Sequence, residues 1–326
     1  MNDQPIKKQT FLQGTAVLAM ATVLVKLMGF LFKVPLNNII GEDGFGYFNT
    51  AYDVYNVLLM ISTTGLPVAM SRMISQAQTL GNHAQIRRIY RTSLYVFLTM
   101  VGSLGMLFFC RQLSVMVTTN ENSWAAIAAL APCVLLICLV SAYRGFFQGQ
   151  SNMTPTSVSQ IFEAVTRLVV GLGLAWLVMK LTGDAAVRAQ GIVLAPGETA
   201  QDYGDITLAA GGAILGVTLG SLISVVYLHH KFRQSNQILS LGGGTAKSTR
   251  STMKELLSIA VPITLGSAGL QIINLFDTMI YMRRLTGALQ WTEKMADSAK
   301  GVYNFCQTVF ALPCSFIPTI TIAVIP

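Results

Sequence analysis

Residues 144–171 read RGFFQGQSNMTPTSVSQIFEAVTRLVVG, a polar turn that leads through Thr154 and Pro155 into an apolar helix. Glu163 and Arg167 are four residues apart in this helix, so their side chains lie on one face. The residues around them are mostly Ile, Phe, Ala, Val and Leu, which is typical of a segment that crosses a membrane. An ionisable residue inside such a segment is energetically costly, and this predicts a functional role for the pair.

The composition of the whole chain is that of a membrane protein. Charged residues make up 11% of the 326 positions and hydrophobic residues 52%, and the mean hydropathy is +0.56. A soluble domain usually has about a quarter charged residues. Because long, continuously apolar runs form helices rather than barrel strands, we predict an all-α, polytopic transmembrane helical bundle. Most of the eight apolar segments have a length close to the ~20 residues that a helix needs to cross a bilayer. The segments lie at roughly 10–33, 47–71, 92–110, 124–143, 155–179, 207–228, 256–281 and 302–326.

The distribution of basic residues predicts a cytoplasmic N-terminus. With this orientation the inner segments carry most of the Lys and Arg, whereas the outer segments carry fewer basic and more acidic residues. The first apolar segment contains Lys26 and is too long for a signal peptide, so we interpret it as a retained helix. The net charge of +8 follows from this loop bias. It suits anionic membrane lipid and does not indicate a nucleic-acid partner.

A glycine-rich connector divides the chain. Residues 229–255 contain Leu-Gly-Gly-Gly and then Lys and Arg, a composition typical of flexible linkers. We therefore predict an N-terminal lobe of six helices at 1–230, a cytoplasmic linker at 231–255, and the first two helices of a second lobe at 256–326. A longer outer loop is expected at about 181–206. The apolar end of the sequence leads us to expect the first part of a longer transporter.

A short internal similarity supports a repeat. Gly46-Tyr47-Phe48-Asn49 opens the second apolar segment, and Gly301-Val302-Tyr303-Asn304 opens the last one. Similarity between halves is common in transporters.

The cysteines give no sign of a metal site or a disulfide framework. All five lie in apolar segments without the spacing of metal ligands, so we expect buried, inert thiols: Cys110, Cys133, Cys138, Cys306 and Cys314.

Several ionisable side chains fall inside the predicted helices, away from their ends. A charged Asp, Lys or Arg costs about 2.5–3.5 kcal/mol at the bilayer centre on insertion scales, so these groups must face one another or water. The direction of each helix places the charges around a cavity that leans outward, with Glu163 beneath the others. We predict a cavity lined by Lys26, Lys33, Asp53, Asn56, Gln160, Glu163 and Arg167.

The balance of charges in this cavity suggests what it binds. Excess positive charge suits an anionic cargo such as a phosphate or pyrophosphate. Asp277 and Glu163 are candidates for coupling or gating, since buried carboxylates can take up a proton or a cation. Two alternatives stay open: Glu163 and Arg167 can form a structural ion pair, and Lys33 can extend to the outer interface.

Several segments of the sequence resemble the MOP exporter superfamily. The resemblance lies in the branch of oligosaccharide and lipid II flippases that includes the stage V sporulation protein B and MurJ types. It is carried by residues 144–171 and by LVKLMGFLFKVPLNNIIGEDGFGYFNTAYDVYN (24–56), GLPVAMSRMISQ (65–76) and ALPCSFIPTITIAVIP (311–326).

The resemblance implies a fold, a cargo and a location. The fold has two helical lobes, with twelve or fourteen helices in all, around a central cavity whose basic residue falls on Lys26. The activity is alternating-access transport, without enzymatic chemistry, of an undecaprenyl-pyrophosphate-linked oligosaccharide such as lipid II or a polysaccharide repeat unit. We expect a monomer in the bacterial cytoplasmic membrane that has no cofactor and is coupled to a Na⁺ or H⁺ gradient or to the membrane potential.

Two other functions are weighed against this one. A cation-coupled multidrug antiporter of the same superfamily would prefer acids and aromatic residues in its cavity. A membrane-embedded glycosyltransferase would need a catalytic loop with paired acids, and the outer loop at 181–206 has only scattered ones.

Overall fold

The computed structural model describes residues 11–99, 108–118, 123–190, 199–239 and 244–324, and these ranges are almost entirely helical, with no strand among them. The prediction of an all-α bundle is confirmed. The helices are α1 (Phe11–Met60), α2 (Leu66–Thr79), α3 (His83–Thr99), α4 (Cys110–Thr118), α5 (Trp124–Gly149), α6 (Thr154–Thr166), α7 (Leu172–Gln190), α8 (Ile206–Leu239), α9 (Thr249–Arg283) and α10 (Glu293–Val324).

Helix α1 is two helical arms joined at Gly41. Gly41 has φ 68° and ψ −177°, a left-handed conformation that glycine adopts at little cost. The rings of Phe32 and Phe48 are 5.7 Å apart, whereas a straight helix would separate these residues by about 24 Å. The first arm (11–40) and the second arm (42–60) therefore fold back on each other, as the two separate apolar segments predicted.

Several helical stretches are long and apolar enough to cross a membrane. Within the described residues there are five of them: Ala16–Met60, Trp124–Gly149, Thr154–Gln190, Ile206–Gln234 and Thr249–Ala288. The third contains α6 and α7, which are joined by a wider π-helical turn at Arg167–Gly171. These stretches indicate a multi-pass membrane protein.

A glycine ridge on α8 brings that helix close to α6 and α7. A Cβ atom on Gly216 would lie 2.3 Å from the Cα atom of Gly171. A Cβ atom on Gly220 would lie 2.8 Å from the backbone oxygen of Glu163. Only small residues permit this approach, so the ridge holds Glu163 and the end of the π-helical turn against α8.

Helix α10 crosses the second arm of α1 through a reciprocal pair of glycines. A Cβ atom on Gly46 would lie 2.6 Å from the backbone oxygen of Asp297, and one on Gly301 would lie 2.0 Å from the backbone oxygen of Glu42. Both glycines open the repeated four-residue motif noted in the sequence. The two similar segments therefore pack against each other.

Two predicted connections are more helical than the sequence indicated. Helix α7 continues to Gln190, inside the predicted outer loop, of which residues 191–198 lie outside the described ranges. Helix α8 continues to Leu239, and Phe232 within this extension packs on the rings of Tyr90 and Phe146, at centroid distances of 4.4 and 4.9 Å. Helix α9 then begins at Thr249, and residues 240–243 of the predicted linker lie outside the described ranges. The division into two lobes stays a prediction.

Candidate functional site

A polar cavity of about 410 Å³ lies between the second arm of α1, α9 and α10. Its walls are made of hydrogen-bonding side chains at the level of the membrane-spanning helices. The charged and aromatic lining residues are Asp53, Asp277, Lys300, Tyr281 and Tyr303. The amide side chains are Asn56, Gln271, Asn274, Asn304 and Gln307, and Leu275 and Thr278 complete the lining.

A buried ion pair joins α1 to α10 at the wall of this cavity. The Lys300 Nζ atom lies 3.1 Å from Asp53 Oδ2, and Lys300 is only 2% exposed. Lys300 also donates a hydrogen bond of 2.7 Å to the hydroxyl of Thr50. The hydroxyl of Thr278 on α9 donates to Asp53 Oδ2 at 3.3 Å. One carboxylate thus connects three helices, and removing Lys300 would leave Asp53 without its ion-pair partner.

Lys33 faces the protein interior rather than the outer interface. Its Nζ atom donates a hydrogen bond of 3.0 Å to the hydroxyl of Thr308 on α10. It is half-buried and close enough to Arg167 and Asp53 for their charges to act on it. The structure therefore brings together three of the residues that the sequence grouped around one cavity.

Glu163 is held between two arginines. Arg144 Nη2 lies 3.1 Å from Glu163 Oε2, and Arg167 Nη2 lies 3.4 Å from Glu163 Oε1. The Nε atom of Arg144 donates to the hydroxyl of Ser159 at 3.0 Å. Both carboxylate oxygens are occupied. Because the cluster has two guanidinium groups and one carboxylate, its net charge is positive. It suits an anion better than a coupling cation.

Two buried polar atoms near this cluster have no hydrogen-bond partner within the described part of the chain. They are the Nε atom of Arg167 and the hydroxyl oxygen of Tyr52. The two residues are close enough to interact electrostatically. A buried donor of this kind is costly, and it leaves Arg167 with unused hydrogen-bonding capacity.

Of the other predicted site residues, two line the cavity and two do not. Asn56 and Asp277 line the cavity. Gln160 is half-buried on α6, one turn before Glu163, and is not part of the described lining. Lys26 is exposed on the first arm of α1 and is not part of that lining either.

Sequence reasoning missed two of the most important charges. Neither Lys300 nor Arg144 is among the cavity residues that the sequence predicted. Lys300 precedes Gly301 of the repeated motif, and this was the one local sign of a tight helix crossing. Arg144 carried no local signal, because its partner Glu163 lies on the next helix.

Comparison with known proteins places this geometry in a family. The sequence profile of the polysaccharide biosynthesis protein family matches residues 11–326. The chain is 27% identical over 324 residues to stage V sporulation protein B of Bacillus subtilis (strain 168), covering 98% of this chain and 58% of that protein. It is 25% identical over 291 residues to the lipid II flippase MurJ of the same organism, covering 85% and 50%.

A solved structure supports the fold. It shows the inward-facing conformation of a multidrug resistance MATE family transporter of the MOP superfamily, and it superposes with a TM-score of 0.60 at 12% identity, covering 90% of this chain and 61% of that one. The chain spans about half to three fifths of the length of these proteins. With its profile match over almost the whole sequence, the chain belongs to the polysaccharide biosynthesis protein family.

Proposed function

We propose that this protein moves an undecaprenyl-pyrophosphate-linked oligosaccharide across the bacterial cytoplasmic membrane by alternating access. The observation that carries the proposal is the polar cavity between α1, α9 and α10, because α1 and α9 are long and apolar enough to cross a membrane. The relatedness to the lipid II flippase MurJ supports the same class of cargo. The N-terminus is cytoplasmic in this proposal, in agreement with the positions of the basic residues.

The lining of the cavity suits the hydroxyl groups of a sugar. A sugar hydroxyl both donates and accepts hydrogen bonds, and the side chains of Asn56, Asn304 and Gln307 do the same. The rings of Tyr281 and Tyr303 add flat apolar surfaces, which bind the apolar faces of sugar rings. Such convergent polar groups with a few aromatic rings are typical of a small-ligand site.

The pyrophosphate binds a different region from the sugar in this proposal. Lys33 is close enough to Arg167 for their two positive charges to act on each other, and Arg167 belongs to the positively charged cluster with Arg144. Guanidinium and ammonium groups bind phosphate oxygens through charge-assisted hydrogen bonds. The lipid tail stays in the bilayer, so only the headgroup needs a polar path. We infer no covalent chemistry and no cofactor, and we assign the driving force to an ion gradient or the membrane potential.

A flipping assay in proteoliposomes tests this function. The probes are fluorescent lipid II and other undecaprenyl-pyrophosphate glycans, and an impermeant quencher reports the leaflet that holds the headgroup. We expect the protein to accelerate flipping of at least one of them and Arg167→Ala to abolish the acceleration. Asn38→Ala is the control, because Asn38 is exposed on the first arm of α1 and is not part of the described cavity lining. Flipping no faster than in empty vesicles for every glycan would refute the proposal.

One observation favours a second candidate, a cation-coupled multidrug antiporter. The cavity is lined by two carboxylates and one ammonium group, so its formal charge is −1. Carboxylates and aromatic rings attract organic cations. Ethidium efflux by the protein, combined with a failure to flip any lipid-linked glycan, would support this candidate over the first.

A further inference from the structure

The two carboxylates of the cavity are in different electrostatic situations. Asp53 is neutralised by Lys300 at 3.1 Å and also accepts a hydrogen bond from Thr278. Lys300, the one cation of the described lining, is therefore fully engaged with Asp53 and Thr50. Asp277 on α9 makes no ion pair with any described residue.

Asp277 lies next to an aromatic pair in the same cavity. Tyr281 follows it by one helical turn, so the two side chains are on one face of α9. The ring of Tyr281 is 6.1 Å from that of Tyr303 on α10, with the ring planes tilted by 30°. A carboxylate and aromatic rings in one cavity are groups that attract an ammonium group.

We propose that Asp277 makes the cavity selective for lipid-linked glycans that carry a free ammonium group on the sugar. This inference rests on the proposed function and adds to it the chemical class of the headgroup. An ammonium group in the cavity would pair with Asp277, whereas the N-acetylated form of the same sugar would leave the carboxylate without a partner.

The separate positions of the positive and negative side chains support this selectivity. The pyrophosphate requires positive charge, which Lys33, Arg144 and Arg167 supply outside the negatively charged cavity lining. A headgroup with an anionic pyrophosphate at one end and an ammonium group on its sugar would match both regions at once. A glycan with additional negative charge on the sugar would be repelled by Asp277.

The test uses two lipids that differ only at the amine. They are undecaprenyl-pyrophosphoryl-glucosamine and undecaprenyl-pyrophosphoryl-N-acetylglucosamine, each with a nitrobenzoxadiazole label on the sugar C6 position. Dithionite added to proteoliposomes bleaches only the outward-facing label. Because a hydrogen bond to a charged group contributes about 1.5–3 kcal/mol, we expect the protein to flip the glucosamine lipid at least about tenfold faster.

Variants at Asp277 test whether this carboxylate causes the preference for the glucosamine lipid. Asp277→Asn is isosteric and lies at an exposed position, so we expect normal folding and loss of the tenfold preference. Asp277→Glu should keep most of the preference, because it retains the carboxylate. Asp205→Asn is the control, because Asp205 is an exposed acid at the start of α8, is not part of the described cavity lining, and its asparagine replacement keeps the helix cap.

The outcomes separate this inference from the function on which it rests. Equal flipping of both lipids by the unmodified protein, or an unchanged preference in Asp277→Asn, would overturn the selectivity while the flippase function stands. Flipping of neither lipid, nor of any other lipid-linked glycan, would overturn both.

Discussion

Lys300 and Asp53 show how strongly a single buried charge depends on its partner. Lys300 is almost completely buried, and its ammonium group contacts one carboxylate and one hydroxyl. The desolvation of such a group is compensated only while both contacts persist. The same reasoning applies to Glu163, whose two oxygens each meet an arginine.

At the residue scale, we predict that Lys300→Ala destabilises the protein by about 3 kcal/mol, the lower end of the range for breaking a buried ion pair, because Asp53 then keeps only the hydroxyl of Thr278 and the more distant charge of Lys33. Thermal unfolding in detergent measures the effect. Combining Lys300→Gln with Asp53→Asn should recover most of the loss, because it removes both charges. Lys294→Ala is the control, since Lys294 is 83% exposed and lies 4.0 Å from Asp43. Equal destabilisation by the two lysine variants would contradict the importance of the buried pair.

A second prediction concerns the arginine cluster. Glu163→Gln leaves Arg144 and Arg167 without their shared acid, so the melting temperature should fall. Adding Arg144→Gln removes one of the two facing positive charges and should restore part of it. A double-mutant cycle gives the coupling free energy. Strictly additive effects would show that the two residues are not coupled.

At the scale of helices, close approach depends on a few glycines. The crossing of α10 and the second arm of α1 has a glycine on each side, and each faces a backbone oxygen of the other helix. This crossing fixes the position of Lys300 along the axis of α10, so that it lies opposite Asp53. The ridge on α8 does the same for Glu163, so both charge clusters are held in place by helix packing.

The element-scale prediction is that Gly301→Ala separates α10 from α1. Its added methyl group would meet the Glu42 backbone oxygen at 2.0 Å, and overpacking of this kind costs about 1–3 kcal/mol. Gly266→Ala is the matched control, because no atom lies within 4 Å of its added Cβ and alanine favours a helix. Both are measured by thermal unfolding. If Gly301→Ala is as stable as Gly266→Ala, the close crossing is not required.

At the scale of the whole molecule, α1 and α10 are joined along a line of polar contacts. The hydroxyl of Ser298 donates to Asp43 Oδ1 at 2.5 Å, Lys300 pairs with Asp53, and Lys33 donates to Thr308. Alternating access of the cavity would require these helices to separate at one end. The contacts around Asp43 lie at the end that the predicted orientation places outside.

We therefore predict that locking this end blocks transport. Asp43→Cys combined with Ser298→Cys, bridged by a short methanethiosulfonate cross-linker, should abolish flipping, and dithiothreitol should restore it. The two single variants treated with the same reagent are the controls, because they also contain the native cysteines. Undiminished flipping by the cross-linked protein would show that α1 and α10 do not separate there.

Local features of the sequence were sufficient to predict the class of the protein. The length and apolarity of each segment specify a membrane-spanning helix, because backbone hydrogen bonds in lipid must be satisfied within the segment. The break at Gly41, the start of a helix at Thr154, and the positions of Asp53, Lys33 and Arg167 on their helices follow from the same local information. These properties involve neighbours in the chain, so the sequence by itself determined them.

Only the tertiary structure decided which charges meet. Lys300 pairs with Asp53 and Arg144 with Glu163, whereas Lys26 lies at an exposed position. Each pairing depends on the rotation and height of one helix against another, and glycine contacts between helices distant in sequence set both. A charge inside a membrane must find a partner, but the identity of that partner is a property of packing in three dimensions.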